Sequence, residues 1–278
     1  MPTLARAIAD ASARLRAVSD SPRQDAEILL SHELGYSRAQ LFTRLNEPLK
    51  GDDASRFDAQ IARRAKGEPV AYLLGEKGFW TFSVTVSPAV LVPRPETELL
   101  VEWALEVLKP LHQPRVADLG TGSGIIALAL KLERPDAEVI GIDLSADALA
   151  VARGNAQQLG VAIEWAEADF AEWLVTDGPP HNLIVANPPY IAARDPHMDA
   201  LRFEPSMALT DGHDGLNALR SIIANAPQRL LGGGSLLVEH GYDQREAVKV
   251  LFAEAGFLHI TTRQDLGGQP RATGGTAP

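Results

Sequence analysis

The sequence predicts an α/β protein: a mostly parallel, doubly wound sheet, preceded by a small helical bundle and a β-hairpin. Three observations predict it. From Pro114 nearly to the end, short apolar runs alternate with amphipathic stretches, the pattern of a parallel sheet covered by helices. Residues 1–66 instead repeat apolar side chains at three and four, the helical period. Between them, near 79–92, the period drops to two. A length of 278 residues is enough for one large domain and a small one.

In the bundle, Leu4, Ala7, Ile8, Ala11, Leu15 and Val18 form one apolar stripe. Ser21 and Pro22 have the N-cap and first-turn chemistry for a second helix, and Gly35 is placed to end it. Ser37 with Gln40 makes a capping-box pattern for a third helix, and residues 53–66, closed by Gly67, make a fourth. The bundle carries no catalytic-looking cluster, which leaves a structural cap or a docking module for a partner. Phe82, Val84 and Val86 alternate with Ser83, Thr85 and Ser87, followed by Val90, Leu91 and Val92, so a hairpin is expected there, with Gly75 and Gly78 as hinges. Arg94 and Glu96 then sit in a proline-stiffened turn before an amphipathic helix over 99–108. The expected division is 1–74 for the bundle, 75–94 for the hairpin linker and 95–278 for the main domain.

The main domain predicts strands at 115–119, 138–142, 162–167, 182–186, 234–239 and 258–262. Helices are expected near 124–132, 146–158, 215–230 and 242–255. The tail 272–278, small and polar, is expected to fray.

Composition excludes several classes. Hydrophobic residues at 45% and charged residues at 22% are ordinary globular values. With no cysteine there can be no disulfide or thiolate metal site, and no metal is expected. No apolar run approaches the roughly 20 residues that a membrane span needs, and the first residues lack a signal-peptide core. The net charge of −10 is uneven: residues 1–80 hold 12 Lys and Arg against 11 Asp and Glu, so −11 falls on the rest. An acidic main body is a poor surface for a phosphate backbone, which disfavours nucleic-acid substrates.

The chemistry concentrates in two loops. Asn187-Pro188-Pro189-Tyr190 ends the apolar run Leu183-Ile184-Val185-Ala186, where two prolines stop the strand. This loop offers a side-chain amide, the Pro188 carbonyl and an aromatic face, the parts that hold a planar NH2 group by both hydrogens. Asp118-Leu119-Gly120-Thr121-Gly122-Ser123-Gly124 joins the first strand of the main domain to its helix, and Asp143 ends the second strand. A dinucleotide fingerprint would need a third glycine at position 125, which is Ile125. The Gly-x-Gly-x-Gly spacing suits S-adenosylmethionine better than a pyrophosphate: Asp118 and the loop N–H groups can meet its amino-acid end. Asp143 is placed for the ribose hydroxyls, Asp169 for the adenine amine and Phe170 as a packing surface. The glycine loop, Asp143 and the Asn-Pro-Pro-Tyr loop, at the ends of the first, second and fourth strands, all fall on the carboxyl edge of one sheet, where open α/β sheets bind ligands.

At this point the chain resembles a known family, the HemK/PrmC-type protein-(glutamine-N5) methyltransferases that modify peptide-chain release factors. Besides the two loops, the likeness rests on Gly67-Glu68-Pro69-Val70-Ala71-Tyr72 with Phe79-Trp80, on Pro93-Arg94-Pro95-Glu96-Thr97-Glu98, on Arg202-Phe203-Glu204-Pro205, on Glu239-His240-Gly241, and on Asp265, Gly268 and Arg271. It implies a Rossmann-like class I S-adenosylmethionine methyltransferase sheet with an N-terminal helical domain that docks the substrate protein. It also implies cofactor binding by Gly120, Thr121, Gly122, Ser123, Gly124, Asp143, Phe170 and Asn187. Asn187, Pro188, Pro189 and Tyr190 are expected at the substrate glutamine, with Arg94 and Glu96 alongside and Asn187, Pro188 and Tyr190 carrying catalysis. Relatives commonly hold tryptophan at position 170, so Phe170 keeps the stacking surface and loses an indole donor.

The implied partner is a release factor, with no membrane, no nucleic-acid substrate, a monomeric state and a cytoplasmic location. His240 reads as structural, and Glu204 as ordering a loop on the substrate side. Gly267-Gly268-Gln269 matches the tripeptide that the family methylates; it reads as coincidence in a glycine-rich turn. Two rivals stay open: a methyltransferase for nucleobase amino groups, which would need base flipping and a basic track, and a non-catalytic cofactor-binding adaptor.

Overall fold

The computed structural model describes residues 1–278, the side chain of His197 excepted. The chain divides into two compact units, Met1–Glu76 and Lys77–Pro278.

The first unit is helical: α1 (Leu4–Leu15), α2 (Pro22–Leu34), α3 (Arg38–Thr43), α4 (Gly51–Arg64) and α5 (Val70–Leu74). The predicted stripe is its core, with Leu4, Ile8, Ala11 and Leu15 packed on Leu29, Leu30, Phe57 and Ile61. Val18 lies beyond the end of α1 and is exposed. The Ser37–Gln40 capping box is present, and Gly35 takes the left-handed conformation that ends α2. Ser21 precedes α2 without a side-chain cap bond; its own N–H goes to Ser19 Oγ. The fourth helix starts at Gly51, two residues before the expected Asp53, and α5 was not anticipated.

The second unit begins with a hairpin, β1 (Glu76–Phe79) and β2 (Phe82–Thr85), earlier than the period-two run suggested. Val86, Val90 and Val92 are buried, yet they lie in a loop. Pro88 and Pro93 interrupt any ladder there, and the Val92 N–H goes to a carboxylate oxygen of Glu204 at 2.9 Å. The hairpin is fastened to this unit through buried Asn155, which bonds both the N–H and the carbonyl of Thr85.

Then follow α6 (Glu98–Leu108), β3 (Arg115–Leu119), α7 (Ile125–Glu133), β4 (Glu138–Asp143), α8 (Ala146–Leu159), β5 (Glu164–Glu167), α9 (Phe170–Val175), β6 (His181–Ala186), α10 (Ser206–Leu209), α11 (Asn217–Asn225), β7 (Leu230–Glu239), α12 (Arg245–Glu254), β8 (Leu258–Gln264) and β9 (Pro270–Thr276). The seven strands β3 to β9 form one sheet in the order β5-β4-β3-β6-β7-β9-β8. The strands from β5 across to β7 pair in parallel, and β9 is antiparallel to both β7 and β8. Ala117, Leu119, Ile184, Ala186, Leu236 and Val238 point to one face, against Leu219, Ile222 and Ile223 of α11 and Val248 and Phe252 of α12. Because strand side chains alternate, Val116, Leu183, Val185 and Leu237 face the other layer.

The expected fraying tail is instead β9, an interior strand with Ala272 and Thr273 fully buried. Its glycines explain why it does not read as a strand. A Cβ on Gly274 would come within 2.4 Å of Leu237 Cδ2 and 2.9 Å of the Trp103 ring, and one on Gly275 within 3.1 Å of both Phe252 and Phe257. The apolar volume at this strand comes from its neighbours.

Candidate active site

The loops after β3, β4 and β6 leave the carboxyl edge side by side, because these strands are adjacent in the sheet. Gly120, Gly122 and Gly124 have φ of 68°, 56° and 86°, a region that side chains rarely adopt. The turn they make is held from beneath. Asp118 Oδ2 accepts from Thr121 Oγ1 at 2.6 Å and from the Ala127 N–H at 3.2 Å. Burial pushes the Asp118 carboxyl up to about 7, against those two hydrogen bonds. Asp118 was expected to meet a ligand; it is fully buried, off the cavity wall, and its Oδ1 is unpartnered. Its place is under the loop.

A cavity of about 530 Å³ opens over this edge. Gly120, Thr121, Gly122, Ser123 and Asp143 line one side, Asp169 and Phe170 another, and Arg94, Asn187 and Pro189 a third. Asp143 accepts from the Gly122 N–H through Oδ2 and from the Ser145 N–H through Oδ1, each at 2.9 Å. Each oxygen keeps a lone pair for a further donor. Asp169 Oδ1 caps α9 by accepting from Ala171 N at 2.7 Å and Glu172 N at 3.3 Å. Gly124 caps α7 behind the wall, where a Cβ would press on Trp165 at 3.1 Å.

Asn187 donates from Nδ2 to Thr97 Oγ1 at 3.1 Å, and its Oδ1 makes no hydrogen bond among the described residues. The Pro188 carbonyl has no hydrogen bond among the described residues. Tyr190 was expected as an aromatic clamp in the cavity. Its ring packs instead against the core behind the loop, with its hydroxyl donating to Glu239 Oε1 at 3.1 Å. Burial, then the Glu239 charge, raises the Tyr190 pKa well above its usual value. Glu96 also lies elsewhere, on a second cavity of about 420 Å³ shared with Glu98, Glu102, Asp265 and Arg271.

Arg94 lines the main cavity, but its guanidinium is paired with Glu204 Oε1 at 2.5 Å. Glu204, only 7% exposed, therefore ties the segment before α10 to the loop before α6. His240 is buried, with Nε2 on Thr273 Oγ1 and Nδ1 on the Gly241 carbonyl, each at 2.8 Å, so it knits β7 to β9. Sequence reasoning missed Thr97, and Asn217 and Ser221 of α11, which also line the cavity, and Asn155, which holds Thr85 of the hairpin and the Ser123 carbonyl of the glycine turn. Thr97 stood inside a quoted motif and read only as part of a helix start.

A seven-stranded sheet with a glycine turn, an acid closing the next strand and an Asn-Pro-Pro-Tyr loop on one edge defines a class I S-adenosylmethionine-dependent methyltransferase. Family models agree: residues 6–75 match the PrmC N-terminal domain and residues 96–203 the methyltransferase small domain. A crystal structure of a methyltransferase from Pyrococcus furiosus has the same fold, with a TM-score of 0.54 at 14% identity, covering 80% of this chain and 98% of that one. The release factor glutamine methyltransferase of Burkholderia pseudomallei is 47% identical over 275 residues, 96% of each chain. That of Xylella fastidiosa is 50% identical over 259 residues, 92% of this chain and 94% of the relative. The chain belongs to the release factor glutamine methyltransferase family.

Proposed function

We propose that this enzyme transfers a methyl group from S-adenosylmethionine to the side-chain amide nitrogen (N5) of the glutamine in the Gly-Gly-Gln motif of peptide-chain release factors, in support of translation termination. The observation that carries this is at Asn187: an amide oxygen with no hydrogen bond among the described residues, next to a Pro188 carbonyl that is likewise unclaimed among them, on the rim of the cavity lined by the glycine turn and Asp143.

The residues fit the cofactor. A Cβ on Gly120 or Gly122 would meet no atom of the chain within 4 Å, so the turn leaves room for a ligand against its backbone. Asp143 keeps acceptor capacity on both oxygens for the ribose diol, and Asp169 Oδ2 keeps its own for an amine. When bound, S-adenosylmethionine supplies an electrophilic methyl on a sulfonium. The chain's own residues make the acceptor competent. A glutamine amide nitrogen is a weak nucleophile because its lone pair is delocalised into the carbonyl. Asn187 Oδ1 and the Pro188 carbonyl each accept one N–H, aim the nitrogen and stabilise the positive charge that grows on it. The methylated amide is acidic enough to lose its proton to water, so no strong base is required.

The helical unit, residues 1–74 with the hairpin of 75–94 following it, is proposed to dock the release factor, while 95–278 does the chemistry. The enzyme is proposed to act as a cytoplasmic monomer. No helix among the described residues is long and apolar enough to cross a membrane. The test is peptide mapping of release factor after incubation with the enzyme and labelled cofactor, with tRNA, rRNA and DNA in parallel. Label on the glutamine of the Gly-Gly-Gln peptide alone is expected. Label on a nucleic acid would favour the nucleobase reading, and no label on any acceptor the adaptor reading.

A further inference from the structure

In sequence, Gly267-Gly268-Gln269 is one more glycine-rich turn. In the fold it has three properties that a methyl acceptor needs. It is accessible: the turn joins β8 to β9, Leu266 within it is fully exposed, and Gly267, Gly268 and Gln269 are exposed beside it. It is free: the Gln269 side-chain amide makes no hydrogen bond among the described residues. It is unobstructed: a Cβ on Gly268 would meet no atom of the chain within 4 Å.

The fold asks for part of this tripeptide and not for the rest. Gly268 has a φ of 76°, which accounts for a glycine there. The turn closes through the Gln269 backbone alone, whose N–H goes to Asp265 Oδ1 at 3.0 Å and whose carbonyl accepts from the Asp265 N–H at 2.9 Å. These bonds also hold the amide away from the Asn187 of its own chain. In the strand order β7 stands between β6, which leads into Asn187, and β9, so the turn lies at least two strand spacings off, roughly 10 Å. Gln269 lines the second cavity and not the one that Asn187 lines. An amide so placed is offered to another molecule. We propose that Gln269 is itself a methylation site, and that one copy of the enzyme methylates the exposed Gly-Gly-Gln turn of another. This rests on the glutamine-methylation reading above. The Gln269 side-chain nitrogen forms its bond to the methyl carbon as the sulfonium carbon–sulfur bond breaks. Sulfur keeps that electron pair, and the nitrogen gives up one proton to water.

The test uses the full chain with labelled S-adenosylmethionine and no release factor, followed by peptide mapping. The peptide that contains Gln269 should carry the label and be heavier by one methylene, at an initial rate that rises with the square of enzyme concentration. Gln269→Met removes the acceptor nitrogen from an exposed side chain, so it should take no label there and methylate release factor within about twofold of the parent. Asn187→Ala should lower self-labelling about 10²-fold. When the two variants are mixed, however, the Asn187→Ala protein should be labelled on its Gln269, because one supplies the cavity and the other the amide. Unlabelled release factor should suppress the reaction by competing for the cavity. A parent that methylates release factor and leaves Gln269 unlabelled would overturn the proposal, and so would an unlabelled mixture. A parent that labels no acceptor at all would overturn the functional reading, and this proposal with it.

Discussion

At Asn187 the two ends of one amide meet different chemistry, one fixed by the protein and the other open to the cavity. Asn187→Ala should leave S-adenosylmethionine affinity within about tenfold and lower turnover by about 10²-fold or more, the scale for losing one preorganised polar partner. Unchanged turnover would remove this side chain from the reaction. Asp143 acts on the other side. Its carboxylate binds two backbone N–H groups, and the ribose role proposed for it predicts that Asp143→Ala weakens cofactor binding by about tenfold or more; a calorimetric Kd equal to the parent's would refute that role. Both residues were legible because each closes an apolar strand at a fixed place in a motif. Thr97 and Asn155 were not. Their partners lie 90 and 70 residues away along the chain, so only the fold reveals what they hold. Tyr190 was misjudged for a related reason: the sequence gives its position on the loop but not the direction of its ring.

The strands of the parallel half were read closely from their apolar runs, because a strand covered on both faces has no choice but to be apolar. Arg115–Leu119 matches the expectation residue for residue. Of the antiparallel strands, β8 was read near its place, but β9 escaped notice because it is nearly without side chains where Trp103, Leu237, Phe252 and Phe257 press on it. Gly274→Ala should therefore cost about 1 to 3 kcal/mol through overpacking, seen as a fall in Tm of about 2 to 10 °C. Gly51→Ala, at an open position in α4, should be neutral or slightly stabilising by the same measurement. A Gly274→Ala protein as stable as its parent would mean that the strand can shift away from its neighbours. The hairpin shows the opposite error. Val86, Val90 and Val92 alternate as strand residues do, but burial alone sets that pattern and the loop's hydrogen bonds go elsewhere.

Across the whole molecule, buried titratable groups set how stability depends on pH. His181, at the start of β6, has its pKa pushed down to about 4, first by burial and then by Arg229 and Arg115. The folded protein keeps this ring neutral down to about 4 while the unfolded chain takes up a proton below about 6.5, so stability is lost as pH falls through that window. The loss amounts to about 3 kcal/mol at most. Asp118 and Glu239 act in the other sense: each is raised to about 7, mainly by burial. The fold holds their protons where the unfolded chain has released them, and stability declines as pH rises from about 4 toward 7. In thermal melts, His181→Gln should lose less Tm than the parent between pH 6.5 and 4.5, and equal slopes would show that the ring is already charged in the fold. The strand order also dictates a sequence of assembly. Since β9 lies between β7 and β8, the segment made last must come to rest between two made earlier. The docking of β8 straight onto β7 is thus a kinetic competitor of correct folding. The turn at Asp265, which accepts from the Gln269 N–H at 3.0 Å and from Arg271 Nε at 3.2 Å, is a local contact whose early closure would bring β8 and β9 in as a pair.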